Sequence, residues 1–281
     1  MTVFFVLIIL IGWFFAGYYG DSTILYVAVA FSLFMNVFSY WFSDKVVLKM
    51  AGAKPATRAE YFDLYTLTEN LAITAGLPMP KLYVIEDSVP NAFATGRNKD
   101  HAVVAVTTGL LQILERNELE GVIAHELSHI GNKDILLQTI VVVLVGFIAI
   151  LSDMFTRSLW FGGGDRDNKA GGWMVLVGFA LMILSPIIAT VIKLAISRKR
   201  EFLADSSGAL LTRYPEGLAS ALEKIESHSR PMKRASNATA HLYISNPFGG
   251  NKNKKVGFMQ KMFMTHPPTH ERITVLRDLS V

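Results

Sequence analysis

Apolar residues in this chain come in long blocks separated by polar segments. Val3 to Gly20 carries no charge, and after a polar break at Asp21 and Ser22 a second uncharged stretch runs from Thr23 to Ser43. Ile135 to Phe155 is a third, charged only at Asp153. Trp173 to Ile196 is a fourth, with Lys193 near its end and Pro186 within it. A helix needs about 20 apolar residues to cross the hydrocarbon core of a bilayer, so the pattern predicts four transmembrane helices arranged as two hairpins. Pro186 removes a backbone donor and should kink the last of them. The first stretch lacks a basic start, exceeds the usual signal core and runs at once into the second, so it reads as a retained span.

The polar segments follow shorter periods. Tyr61, Leu64, Tyr65, Leu67 and Leu71 have helical spacing within Arg58 to Ala75, and Gly76 ends that helix. Lys81 to Ile85 and His101 to Thr107 read as strands, Asn91 to Gly96 as a loop between them, and Leu110 to Ile130 as one helix broken at Gly131. The expectation is an α+β membrane protein, mainly helical with a small β-sheet. Residues 1–43 and 135–196 form its hairpins, and residues 44–134 with 197–281 form one polar domain split in sequence. Lys45, Lys49, Lys54 and Arg58 follow the second stretch, whereas Arg198, Lys199 and Arg200 follow the fourth. Basic residues concentrate on the cytoplasmic side, so the polar domain and both termini are expected there.

Composition narrows the class. The chain is 51% hydrophobic and 18% charged, against about 25% charged in a soluble domain. It contains no cysteine, which excludes a disulfide scaffold, a thiol nucleophile and a cysteine-held metal. A net charge of +4 is too mild to argue for nucleic acid. The seven Lys or Arg of residues 228–261, unaccompanied by any acid, read as a solvated loop.

The candidate chemistry lies in His125-Glu126-Leu127-Ser128-His129. Residues four apart share a helix face, so both imidazoles can grip one divalent metal, with zinc the usual occupant. Glu126 lies one position round the helix, where its carboxylate can take a proton from water that the metal has acidified. A catalytic zinc needs a third protein ligand and an open position. The antiparallel hairpin between residues 135 and 196 would return Glu201 to the membrane face from which the histidine helix departs. Asp205, one turn further on, can accept the spare ring N–H of a ligand histidine. Pairing of Glu201 and Asp205 with the nearby Arg198 and Arg200 is the bland alternative, and the shared topology favours the metal. The strand His101 to Thr107 could offer an exposed edge to an extended substrate, with Asn91, Ala92, Phe93 and Ala94 along the cleft. An ordinary loop and a buried strand are the alternative there.

These motifs resemble those of the HtpX-type membrane zinc metalloproteases, relatives of the CAAX prenyl proteases. The likeness runs through Asn91-Ala-Phe-Ala94, Gly121-Val-Ile-Ala-His-Glu-Leu-Ser-His129, Arg200-Glu-Phe-Leu-Ala-Asp205, Asn246-Pro247 and His266-Pro-Pro268 with Arg272-Ile273. The resemblance implies one zinc per chain held by His125, His129 and Glu201, with Glu126 as general base and His266 and Arg272 near the active site. His266 could then donate to the oxyanion that develops at the scissile carbonyl. It also implies cleavage of misfolded or damaged membrane proteins at the cytoplasmic face of a bacterial inner membrane. The partners would be unfolded polypeptide segments and the bilayer, with no nucleic acid and the oligomeric state open. An intramembrane-cleaving protease fits less well, because Glu115, Arg116, Asn117, Glu118 and Glu120 precede the metal helix and Asn132, Lys133 and Asp134 follow it. A non-catalytic scaffold would usually recruit four protein ligands.

Overall fold

The N-terminal apolar blocks fold as helices α1 (Thr2–Tyr19) and α2 (Thr23–Ala51) in a computed structural model that describes residues 2–161, 178, 197–249 and 267–279. Gly20 turns the chain between them at φ 66°, a conformation free of strain only for glycine. The Asp21 carboxylate then accepts the Thr23 N–H at 2.9 Å at the start of α2. Both helices are apolar on every side and expose large side chains, among them Leu10, Trp13, Tyr26, Phe34 and Trp41.

The chain divides into two units, one of Met1–Ser43 with Val143–Thr190 and the other of Asp44–Val142 with Val191–Val281. In the second unit β1 (Ala53–Pro55), β2 (Lys81–Ile85), β3 (Ala92–Gly96) and β4 (Ala102–Thr107) form a sheet of order β1-β2-β4-β3. The β2–β4 pair is parallel and the two outer pairs are antiparallel. Helices α3 (Phe62–Thr74), α4 (Thr108–Ile113) and α5 (Arg116–Gly131) accompany the strands. Then come α6 (Asp134–Phe161), α7 (Arg198–Thr212), α8 (Pro215–Ser227) and α9 (Thr269–Arg277). Leu64, Leu67 and Leu71 of α3, Val104 and Val106 of β4, and Val122, Ile123 and Leu127 of α5 belong to one apolar core. Burying each of the larger of these side chains contributes about 1.5–3 kcal/mol.

The mainly helical class with a small mixed sheet agrees with the expectation, while several elements differ from it. Leu110 to Ile130 is two helices. Thr107 caps α4 by accepting the Leu110 N–H at 3.2 Å, and a capping box of Glu115 with Glu118 starts α5 anew. Asn91 to Gly96, expected as a loop, contains strand β3, because pairing with β4 over Ala92–Gly96 supplies what its small residues lack in β-propensity. The strand expected to expose an edge, His101 to Thr107, lies inside the sheet with partners on both sides, and the edges fall to β1 and β3. The first three apolar stretches lie on α1, α2 and α6, and the fourth lies outside the described residues apart from Gly178. Among the described residues no single helix is long and apolar enough to cross a membrane. The two halves of α2, bent by 47°, and α5 with the first part of α6, bent by 85°, pass that test only as pairs.

Close helix packing sets up the site. Helix α5 packs against α7 and α8, with α3 and β3 on its other sides. A Cβ on Gly121 would stand 2.6 Å from the backbone nitrogen of Leu218 and 2.8 Å from its Cα. Neither atom is on a flexible side chain, so α5 and α8 can meet there only through glycine. Gly121→Ala should destabilise the second unit by about 1–3 kcal/mol through overpacking, measurable as a lower thermal midpoint in detergent.

Candidate metal centre

Helix α5 presents His125 and His129 one turn apart on one face, and α7 presents Glu201 in its first turn. Gly208 lets α7 approach, since a Cβ there would lie 3.0 Å from the His125 backbone nitrogen. One ligand atom from each of His125, His129 and Glu201 falls within a 4.8 Å cluster, and all three residues are buried. The separations are 3.2 Å between the two Nε2 atoms, 3.6 Å from His129 Nε2 to Glu201 Oε1 and 3.9 Å from His125 Nε2 to Glu201 Oε2. Tetrahedral coordination at about 2.0–2.2 Å implies ligand–ligand edges of about 3.3–3.6 Å, so the triangle has the size a zinc-like ion requires.

The far side of each ring supports the same conclusion. His125 Nδ1 lies 2.9 Å from Asp205 Oδ1, and His129 Nδ1 lies 3.1 Å from Asp134 Oδ2. Carboxylates only accept, so each Nδ1 carries a proton and the Nε2 atoms are the positions left to face a metal. The neutral His125 Nε2 offers its lone pair to the second ring proton of His129 at 3.2 Å, and a metal displacing that proton would meet two Nε2 lone pairs and the Glu201 carboxylate around one point. The donor set therefore fits a divalent metal, and among the described residues it is the only such group of three.

Asp205 lies against the His125 ring, and Arg272 holds it in place. Arg272 Nε and Nη2 donate to the two Asp205 oxygens at 2.8 and 2.6 Å. Arg272 is buried, and its Nη1 donates to the Ile244 carbonyl at 3.2 Å. Burial works against the Asp205 carboxylate, but Arg272 and His125 outweigh it and hold its pKa down to about 2. Asp134 was not legible as a site residue. Helix α5 ends near Gly131, Lys133 takes a left-handed φ of 62°, and α6 starts at Asp134. The 85° turn between the helices brings Asp134 back against His129 near the end of α5. The available signal was the polar break Gly131-Asn132-Lys133-Asp134, with an acid five positions after His129. Arg200 Nη1 lies 3.7 Å from Asp134 Oδ1.

Glu126 is buried, and burial pushes its carboxyl up to about 7, with Glu201 adding to the rise; His129, the Ala94 N–H and Arg272 act in the opposite sense. Burial takes His125 down to about 4, leaving it neutral. Burial also disfavours charge on His129, yet Asp134, Glu201 and Glu126 together lift it to about 9. Asn91, Ala92, Phe93 and Ala94 are all buried at the start of β3, where the Asn91 side chain bonds to Ser245. His266 lies outside the described residues.

Two neutralisable imidazoles and a carboxylate around one point, a glutamate between the imidazoles and an edge strand alongside define a metallopeptidase. The chain belongs to peptidase family M48, whose family model matches residues 59–280. It is 46% identical over 288 residues to a Protease HtpX homolog of Caldanaerobacter subterraneus subsp. tengcongensis, covering 100% of this chain and 93% of that protein. It is 50% identical over 264 residues to a Protease HtpX homolog of Pyrococcus furiosus, covering 93% of this chain and 89% of that one. Ste24p of S. mikatae shares the fold, with a TM-score of 0.54 at 18% identity over 96% of this chain, which spans 62% of that chain's length.

Asp134→Ala should weaken metal affinity about 10–100-fold, because nothing then orients the His129 ring; competition with a chelating dye reads the change. A metal must also displace the proton that His129 keeps below about 9. Metal binding at pH 7 should thus release close to one proton, and apparent affinity should climb as pH rises towards 9. Calorimetric titrations in buffers of different ionisation enthalpy measure that release.

Proposed function

We propose that this chain is a membrane-embedded zinc endopeptidase that cleaves extended segments of misfolded or damaged membrane proteins at the cytoplasmic surface. The observation that carries the reading is the cluster of His125, His129 and Glu201 ligand atoms within 4.8 Å, beside a buried Glu126. Those three residues would hold the zinc. When bound, it supplies Lewis-acid polarisation of the scissile carbonyl and water acidified towards neutrality.

The remaining work belongs to the protein. Glu126 takes a proton from the attacking water and returns it to the leaving amine, a transfer typically contributing about 10²–10⁴-fold. Its pKa of about 7 before metal binding suits a group that must both accept and release a proton near neutral pH. Asp205, held by Arg272, and Asp134 keep the two ligand rings turned towards one point. Substrate backbone adds alongside β3, an edge strand next to Glu126, so recognition reads little sequence. His266 would serve the developing oxyanion, the role that the resemblance of its His-Pro-Pro segment implies.

The large apolar side chains exposed all round α1 and α2 support burial of the first unit in lipid. The proposed topology has spans on α1, α2, α6 and residues 173–196. The Lys and Arg after the second and fourth spans keep the catalytic unit cytoplasmic.

The decisive experiment combines metal analysis with proteolysis of an unfolded model protein. Glu126→Gln should retain zinc while cleavage falls about 10²–10⁴-fold, and Glu201→Gln should lose metal as well. Undiminished cleavage by purified Glu126→Gln protein would overturn the proposal.

A further inference from the structure

The outer edge of β3 is already taken by this chain. Ile244 N–H donates to the Ala92 carbonyl at 2.9 Å. The Asn91 side-chain amide stands in for one more peptide unit: its Nδ2 donates to the Ser245 carbonyl at 2.9 Å, and its Oδ1 accepts the Ser245 N–H at 3.2 Å. The Tyr243 ring meets Phe93 edge-on, with centroids 5.1 Å apart. Further along the strand, the Ala94 N–H is directed to Glu126 and the Gly96 N–H to Thr139 Oγ1 at 3.4 Å. Residues 92–96 are accordingly buried. A substrate strand needs this same row of main-chain groups, so it competes directly with residues 243–245.

We infer that residues 243–246 form a built-in segment that shields the edge of β3, and that substrate pairs with β3 only when this segment swings away. The inference rests on the reading of β3 as the substrate edge. Three features suit the segment to a reversible role. Its feet are pinned away from the edge, where Met232 N–H donates to the Pro247 carbonyl at 2.9 Å and Pro231 pairs with Phe248. Between the feet its bonds close local turns at Ala235, Thr239, Ala240 and Leu242, and the ties of the Lys233 N–H to Asp87 and of the His241 ring to the Gln138 carbonyl lie ahead of residues 243–246. The Tyr243 hydroxyl is buried without a hydrogen-bond partner among the described residues, a deficit that hydration repairs on withdrawal. The Ile244 carbonyl, held by Arg272, ties the docked segment to the residue that also braces Asp205 and His125.

An internal competitor raises the apparent KM by the factor in which closed molecules outnumber open ones, and leaves kcat unchanged. Ile244→Pro deletes the N–H that docks on Ala92. In the full-length, zinc-loaded protein it should lower KM for carboxymethylated casein at least threefold with kcat and metal content retained. A second measurement needs no variant of the segment. In zinc-loaded Glu126→Gln protein, saturating casein should strip hydrogen-exchange protection from the amides of residues 243–246 and leave β3 protected. An unchanged or raised KM in metal-loaded Ile244→Pro protein, or full protection of residues 243–246 with casein bound, would overturn the inference. Wild-type protein that binds zinc and cleaves nothing would instead remove the peptidase reading on which it stands.

Discussion

Two imidazole Nε2 atoms aimed at one another across 3.2 Å are the feature around which the catalytic unit is arranged. Each is forced there from behind, by Asp205 on His125 and by Asp134 on His129. Neither carboxylate could be buried alone, because an unpaired charge in the interior costs several kcal/mol. Arg272 answers Asp205 with two hydrogen bonds, and Arg200 approaches Asp134. The demand for charge balance thereby links α5 to α6, to α7 and to the C-terminal α9.

The balance is incomplete without a cation. Glu126, Glu201, Asp205 and Asp134 are all buried within one small volume, and among the described residues Arg272 is the one fully buried guanidinium beside them. Burial and mutual repulsion then show as an elevated Glu126 and a protonated His129. A divalent ion would lower both, converting strain among acids into ligand strength. The same charge distribution thus suits the site to a divalent ion and raises the Glu126 carboxyl.

Substrate access is a separate matter from chemistry. β3 lies beside Glu126, and its outer row of hydrogen-bonding groups is satisfied from three directions: by Ile244, by Glu126 and by Thr139 of α6. An edge strand left open would invite pairing with any unfolded chain. Shielding it suits a peptidase of the M48 family, whose activity on the wrong backbone would be harmful.

The spacing of His125, Glu126 and His129 was readable because helix periodicity alone puts i and i+4 on one face. Glu201 and Asp205 were readable one step further, since the apolar hairpin expected between them and the histidines would limit where the chain can return. The apolar blocks marked α1, α2 and α6 because long runs of Phe, Ile, Leu and Val have few other folds. The sequence could not announce Asp134 as the support of His129, as that depends on a left-handed turn at Lys133 and an 85° corner. Nor could it reveal that Asn91–Gly96 is an edge strand covered by Ile244 and Ser245, some 150 residues away. Local patterns report what a segment prefers on its own. Hydrogen bonds between remote segments decide which small-residue stretch becomes a strand and which neighbour occupies its edge, and those bonds exist only once the chain has packed.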